Sequence, residues 1–220
     1  MKQLLTLSFL ALSALAHSQA FTGISIKAGT GIAGQIKSPK KTNDGGSKAS
    51  LNFTIEPTLF TFGAKKQFDV NTDFSFILKG GVNYSPIYSY NPWGGIDGSG
   101  SETYVVAMNY VCISPTLKMK FGKLFFAKLG PRMDVLVYYN TKDHFNSDPR
   151  TSKDFYRTNY GVTYGGGMCI GEKKVKFIIE AIGQNDFTRS TYNRASGQHF
   201  SNFCYYLNCG VNIGLGKKGE

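Results

Sequence analysis

The stretch Val111 to Val137, VCISPTLKMKFGKLFFAKLGPRMDVLV, decides the fold. Apolar and polar residues alternate along its first half, with Val111, Ile113 and Leu117 on one face. The alternation pauses at Gly122 and then resumes. Because successive side chains of a β-strand point to opposite faces, this pattern predicts two antiparallel strands joined by a tight turn.

The same period of two recurs along the rest of the chain, beginning at Phe21. Each run carries aliphatic and aromatic side chains on one face and mostly small or polar side chains on the other. The runs therefore predict eight strands. They cover residues 24–36, 51–59, 74–85, 105–121, 125–137, 160–170, 175–184 and 202–215.

The connections between the runs are sorted by length. Long tracts at 37–50, 92–102, 142–156 and 188–199 alternate with tight turns near 69–73, 122–123 and 172–174. Long loops at one rim and short turns at the other are typical of outer-membrane β-barrels, which keep the short turns and both termini in the periplasm. The chain is therefore predicted to be an all-β, eight-stranded antiparallel up-and-down transmembrane β-barrel, closed by pairing of its first and last strands.

The residue sizes on the two faces predict which face is inside. The non-apolar face is crowded with Gly, Ser, Asn and Thr, which fit the narrow interior of an eight-stranded barrel. The apolar face carries Ile, Leu, Val and aromatic residues, as a lipid-facing surface does. Its phenylalanines are expected beside the short turns and its tyrosines toward the long loops, giving two girdles: Phe74, Phe121, Phe125, Phe177, Tyr84, Tyr88, Tyr139 and Tyr160.

Composition agrees with an envelope protein. The chain has 220 residues, of which 18% are charged, and a formal net charge of +11. Residues 1–20 combine Lys2, an apolar stretch and the small-x-small sequence Ser18-Gln19-Ala20, which predicts a secretory signal peptide. The barrel domain is then residues 21–220. Beyond the signal, no stretch approaches the roughly 18 to 20 apolar residues that a membrane-spanning helix needs.

A further stretch of residues resembles a known family. Tyr110, Ile113, Pro115 and Lys118 precede the Gly122-Lys123 turn; Leu129-Gly130-Pro131 and Tyr160-Gly161, with Gly165 and Gly167, follow it. In this pattern the chain resembles the PorT-like outer-membrane β-barrel proteins of Bacteroidota. The resemblance implies an outer-membrane location and a barrel fold, and it implies little about activity.

The charged residues on the inward face form the candidate site. A charge sealed inside a narrow barrel has to be paired, because an isolated one costs several kcal/mol of desolvation. The predicted interior polar network is a salt-bridge plug, with a narrow ion path as the alternative. Its members are Lys27, Glu56, Lys79, Lys118, Lys128, Arg132, Asp134 and Glu180.

Other motifs carry little chemistry. Gly29-x-Gly31-x-x-Gly34 matches a dinucleotide-binding fingerprint, but the residues after it contain a proline and many lysines rather than a helix-forming pattern, so no cofactor is expected. The four cysteines lack metal-site spacing, and no metal or catalytic site is predicted. No interleaved basic and aromatic motif suggests nucleic acid.

These observations predict a non-enzymatic integral outer-membrane protein that presents surface loops or serves as a subunit of an envelope assembly or secretion complex. Its partners would be outer-membrane lipids and proteins of that complex. One alternative is a lipid-modifying barrel enzyme that uses loop residues, namely His144, Ser147, Asp148, His199 and Ser201. A second alternative is a soluble periplasmic ligand-binding β-barrel.

Overall fold

The alternating runs form long antiparallel strands in the computed structural model, which describes residues 21–38, 46–90, 96–142, 156–171, 174–193 and 198–215. The predicted signal peptide, residues 1–20, lies outside them. The strands are β1 (Gly23–Ser38), β2 (Lys48–Phe62), β3 (Phe68–Tyr90), β4 (Ile96–Phe121), β5 (Phe125–Lys142), β6 (Thr158–Ile170), β7 (Val175–Asp186), β8 (Thr191–Asn193) and β9 (Gln198–Gly214). Across these ranges, no helix is long and apolar enough to cross a membrane.

Eight of these strands close into a barrel. These eight are β1 to β7 and β9, and each pairs antiparallel with the next of them. The short strand β8 is an addition that pairs with β9. Strand β1 pairs with β9 from Gly23 opposite Gly214 to Ser38 opposite His199, and this pairing closes the cylinder. The predicted eight-stranded antiparallel up-and-down barrel is confirmed.

The distribution of polarity is the inverse of that in a soluble protein. Ile26, Val111 and Val211, each about two-fifths exposed, lie on the outer surface. Leu51 and Leu129 are 64% and 60% exposed. The polar residues between them along the strands are buried in the lumen, so the apolar stripe points outward as the alternation predicts.

The first short turn lies elsewhere than predicted. The residues at 69–73, which were predicted to turn, belong to β3, and the turn is formed by residues 63–67. Gly63 has a φ of 91° and Lys66 a φ of 50°, as a tight turn requires. Asp69 and Asn71 have side chains typical of turns, but here they are buried toward the lumen.

Three of the predicted long loops are partly strand. Residues 96–102 belong to β4, which continues pairing with β3 as far as Ile96 opposite Tyr90. The Gly- and Ser-rich sequence of this segment disfavours a strand, but the backbone hydrogen bonds of a long hairpin override that preference. In the segment 188–199, Thr191–Asn193 form β8 and residues 198–199 begin β9. In the tract 37–50, residues 37–38 end β1, residues 48–50 begin β2, and residues 39–45 lie outside the described ones. Of the tract 142–156, residues 143–155 lie outside the described residues.

The aromatic girdles are found in part. Phe121, Phe125 and Phe177 are exposed on the outer surface near the short turns, and Tyr160 is exposed toward the loops. Phe74 is also exposed outward, but because the turn lies at 63–67 it pairs with Ile55 in the middle of β2, away from the turn. Tyr139 was predicted to face outward, but it packs against buried residues of the lumen. The register between β4 and β5 shifts between Asn109 and Tyr110, so the alternation of β5 changes face there. The side chains of Tyr84 and Tyr88 lie outside the described ones.

Candidate functional site

The lumen contains all eight side chains of the predicted polar network. Each is at most 5% exposed, and each takes part in an ion pair. The eight side chains point into the lumen from different strands and meet at two levels along the barrel axis. The level nearer the short turns is called the lower cluster, and the level nearer the long loops is called the upper cluster.

The lower cluster is centred on Glu56 of β2. Its carboxylate pairs with Lys27 and Lys118, and its Oε2 lies 3.2 Å from Lys128 Nζ. Lys27 Nζ also lies 2.8 Å from Oε1 of Glu180. The cluster consists of Lys27, Glu56, Asp73, Lys118, Lys128 and Glu180.

Further contacts complete the lower cluster. Lys128 Nζ lies 2.8 Å from Asp73 Oδ2 and 3.3 Å from Glu180 Oε2. Asn71 Nδ2 donates a hydrogen bond of 2.8 Å to Glu56, and Asn208 Nδ2 donates one of 3.1 Å to Glu180. The carboxylates therefore receive several charge-assisted bonds, which a buried charge requires to remain ionised.

The upper cluster joins Lys79, Arg132, Asp134 and Asp186. Lys79 pairs with Asp134, and its Nζ lies 3.4 Å from Asp186 Oδ1. Arg132 pairs with Asp186, and its Nε lies 3.0 Å from Asp134 Oδ1. Asn202 Nδ2 donates a hydrogen bond of 3.0 Å to Asp186. Each cation therefore contacts both carboxylates.

The charges balance within each cluster. The lower cluster has three lysines and three carboxylates, and the upper cluster has two cations and two carboxylates. The predicted network lacked Asp73 and Asp186. Its eight residues, five cations and three anions, carried an imbalance of +2, and that imbalance was the available signal. Asp73 lies two residues before inward-facing Ser75, and Asp186 lies two after inward-facing Gln184.

The lumen also contains an apolar group that the sequence analysis did not predict. Its buried members, called the inner apolar cluster, are Ala33, Ile77, Met108, Tyr110, Cys112, Cys204 and Tyr206. Lys79 Nζ lies 5.1 Å from the centre of the Tyr110 ring, so this cluster borders the upper cluster. The Tyr206 hydroxyl is within 3.1 Å of Ser50 Oγ, which satisfies the buried polar end of the ring. Large side chains as well as ion pairs therefore fill the barrel.

The dinucleotide-like glycines have a structural role. After Gly34 the chain continues as strand β1 to Ser38, so the helix that the fingerprint needs does not follow. A Cβ at Gly31 would lie 2.8 Å from Tyr206 Cα, and one at Gly29 would lie 2.8 Å from Asn208 Cα. These glycines allow β1 and β9 to approach closely where the barrel closes.

The loop residues of the enzyme alternative are mostly outside the described part. His144, Ser147 and Asp148 fall in the segment 143–155. His199 and Ser201 lie at the loop end of β9, opposite Ser38 and Ile36. Among the described residues, no group of three His, Cys, Asp or Glu side chains could hold a metal ion.

A closed antiparallel barrel with an apolar outer wall and a charged, filled lumen is an outer-membrane-type β-barrel. Neither a family model nor a curated protein matches the chain. Solved structures that resemble it include Ail, the attachment invasion locus protein of Yersinia pestis, in complex with the heparin analogue sucrose octasulfate. That likeness has 10% identity and a TM-score of 0.40 and covers 87% of this chain and 98% of Ail.

Two further solved structures are similar in the same way. Neisserial surface protein A has 11% identity and a TM-score of 0.48, over 87% of this chain and 97% of that one. The outer membrane protease OmpT of Escherichia coli has 10% identity and a TM-score of 0.36, over 89% and 94%. At such values the likenesses carry no functional argument, and the fold assignment comes from the strand pairing itself.

Proposed function

We propose that this chain is an integral outer-membrane protein without catalytic activity, which presents surface loops or serves as a subunit of an envelope complex. The observation that carries the proposal is the filled lumen. Ten charged side chains pair five against five across it, and the inner apolar cluster packs beside them. Over the residues that the structure describes, a barrel so filled offers no open path along its axis, which leaves its two ends and its outer wall for interactions.

The outer wall supports membrane insertion over a soluble periplasmic barrel. Leu51, Leu129 and Leu207 are each more than half exposed, and they lie on β2, β5 and β9 around the cylinder. A soluble protein rarely exposes apolar patches beyond a few hundred Å². A wall of this kind needs hydrocarbon around it, and a β-barrel satisfies its backbone hydrogen bonds internally as a membrane demands.

The PorT-like resemblance supports the outer-membrane location in the proposal, and it implies little about activity. In that location the barrel anchors a complex, and its loops and turn-end rim provide the contact surfaces.

Two experiments test location and partners. In membrane fractionation the protein should co-sediment with outer membranes, and it should migrate faster on SDS gels before boiling than after. Recovery in the soluble periplasm, with no heat-modifiable mobility, would contradict the proposal. Crosslinking in native membranes followed by pull-down should then recover a fixed set of envelope proteins, and replacing residues 143–155 by a Gly-Ser linker should reduce that set.

The enzyme alternative has a direct test. A lipid-modifying activity at the loop end would require His144 or His199 as a base, because the chain beyond its first twenty residues has no other histidine. The His144→Ala and His199→Ala variants should leave the lipid A profile unchanged from that of cells with the native protein, and deletion of the whole protein should also leave it unchanged. A lipid species that disappears in either folded variant would contradict the non-enzymatic proposal.

A further inference from the structure

A cavity of about 960 Å³ opens at the short-turn end of the barrel, below the lower cluster. Its lining includes four lysines and one aspartate: Lys118, Lys120, Lys123, Lys176 and Asp69. We propose that this turn-end cavity binds an acidic peptide segment of a partner protein, which enters along the barrel axis.

The charge of the cavity is not balanced, unlike that of the clusters above it. Lys118 is paired with Glu56, and Lys120 Nζ lies 2.7 Å from Asp69 Oδ1. Within the part of the chain that the structure describes, Lys123 and Lys176 have no ion-pair partner. Among the described lining residues, two lysines are therefore in excess over acidic partners, and their positive charge attracts an anion from solution.

The direction of the lysines favours a ligand from water over a lipid headgroup. Lys176 lies opposite Asn212 in the pairing of β7 with β9. Asn212 Nδ2 donates a hydrogen bond of 2.8 Å to Ser25 Oγ, and Ser25 is fully buried in the lumen. Lys176 thus shares the inward face, together with Lys118 and Lys120. Headgroups surround the outside of a barrel, so an anion reaches these amines only through the open end.

The size and lining of the cavity favour a peptide over a small ion. Its volume is at the upper end of the roughly 300 to 1,000 Å³ range of ligand sites. The inner wall includes the aromatic ring of Phe126 and the partly buried thiol of Cys169, and the rim includes Leu124. A segment that alternates carboxylate and apolar side chains would satisfy both the lysines and this apolar surface.

The turn-end rim extends the positive surface. Lys65 and Lys66 are exposed in the turn between β2 and β3, and Lys174 is exposed immediately before β7. Lys65 and Lys66 do not line the cavity, so they are a matched control with the same charge as Lys123 and Lys176.

The test uses the full protein folded in zwitterionic detergent and a short fluorescein-labelled peptide of alternating glutamate and leucine. Fluorescence anisotropy should show saturable binding, and Lys123→Gln/Lys176→Gln should weaken it roughly tenfold, equivalent to about 1.4 kcal/mol. Lys65→Gln/Lys66→Gln should change it much less. Retained heat-modifiable mobility shows that each variant is folded.

Three results would overturn the proposal. The first is no binding to the native protein, or equal binding of a peptide with glutamine in place of glutamate. The second is equal weakening by the two double variants, which would indicate general attraction to a basic rim. The third is displacement of the peptide by phosphatidylglycerol micelles but not by phosphatidylcholine micelles, which would indicate a lipid site.

Discussion

Lys128 Nζ lies 3.2 Å from Glu56 Oε2, although β5 and β2, which carry these residues, are separated in the barrel by β3 and β4. The ion pair therefore crosses the lumen rather than running along the wall. Glu56 also binds Lys27 from β1 and Lys118 from β4, so one carboxylate connects four strands. Loss of this carboxylate would leave three buried lysines with two partners.

Glu56→Gln should destabilise the folded barrel by about 3–5 kcal/mol, because removal of one partner leaves a buried charge without compensation. Urea unfolding in lipid vesicles, followed by loss of heat-modifiable mobility, measures this change. The matched control is Asp69→Asn, which removes the partner of Lys120, a side chain that is 38% exposed. Its cost should be at most about 1 kcal/mol. Equal costs for the two variants would contradict a central role for Glu56.

Gly31→Ala should destabilise the closure of the barrel. The added Cβ would lie 2.8 Å from Tyr206 Cα on β9, and crowding of this kind costs about 1–3 kcal/mol. Gly214→Ala is the control, because its Cβ would be no closer than 3.5 Å to any neighbour, and its effect should stay within about 0.5 kcal/mol. The same urea titration compares them. Similar stabilities would mean that β1 and β9 do not pack as described.

An arginine in the outer wall should be costly at mid-height and tolerated near the rim. Leu207 is 57% exposed within β9, and Leu215 is 50% exposed just beyond its end. Leu207→Arg should cost about 2–4 kcal/mol in a bilayer, whereas Leu215→Arg should cost about 0–1 kcal/mol. Folding efficiency into vesicles gives the comparison. A neutral Leu207→Arg variant would be inconsistent with lipid contact at that position.

Because its lumen is filled, the barrel is expected not to conduct ions. In a planar bilayer the purified protein should give no stepwise conductance, because the two clusters and the inner apolar cluster occupy the interior. Denatured protein from the same preparation is the control for membrane leakage. Reproducible, ion-selective steps from the folded protein alone would favour the narrow ion path over the plug.

Most of the fold could be predicted from the sequence because a bilayer on one side and a narrow lumen on the other impose a strict period of two. The prediction of turns and faces was wrong where residues typical of a turn lie in a strand, or where the strand register shifts. Asp69 and Asn71 have the composition of a turn, but they face the lumen near the first turn. The register shift in β5 moved Tyr139 inward, and no residue type announces such a shift.

The residues that belong to the candidate site could be predicted better than the ion pairs that they form. The alternation of inward and outward positions along the strands identified eight of the ten charged side chains that pair in the two clusters. The partners could not be deduced, because contacts such as Lys128 with Glu56 join strands that are not neighbours. Their identity depends on barrel diameter and strand stagger, which a single sequence does not state.

Spin labels along β9 test most directly whether the apolar stripe faces hydrocarbon. Single cysteines are placed at positions 207, 209 and 211 on the outer face and at 206 and 208 on the inner face, with the other cysteines replaced by serine. In vesicles, labels on the outer face should be highly accessible to dissolved oxygen and shielded from a water-soluble nickel complex, whereas labels on the inner face should be poorly accessible to both. Outer-face labels that the nickel complex reaches freely would contradict the membrane-embedded barrel.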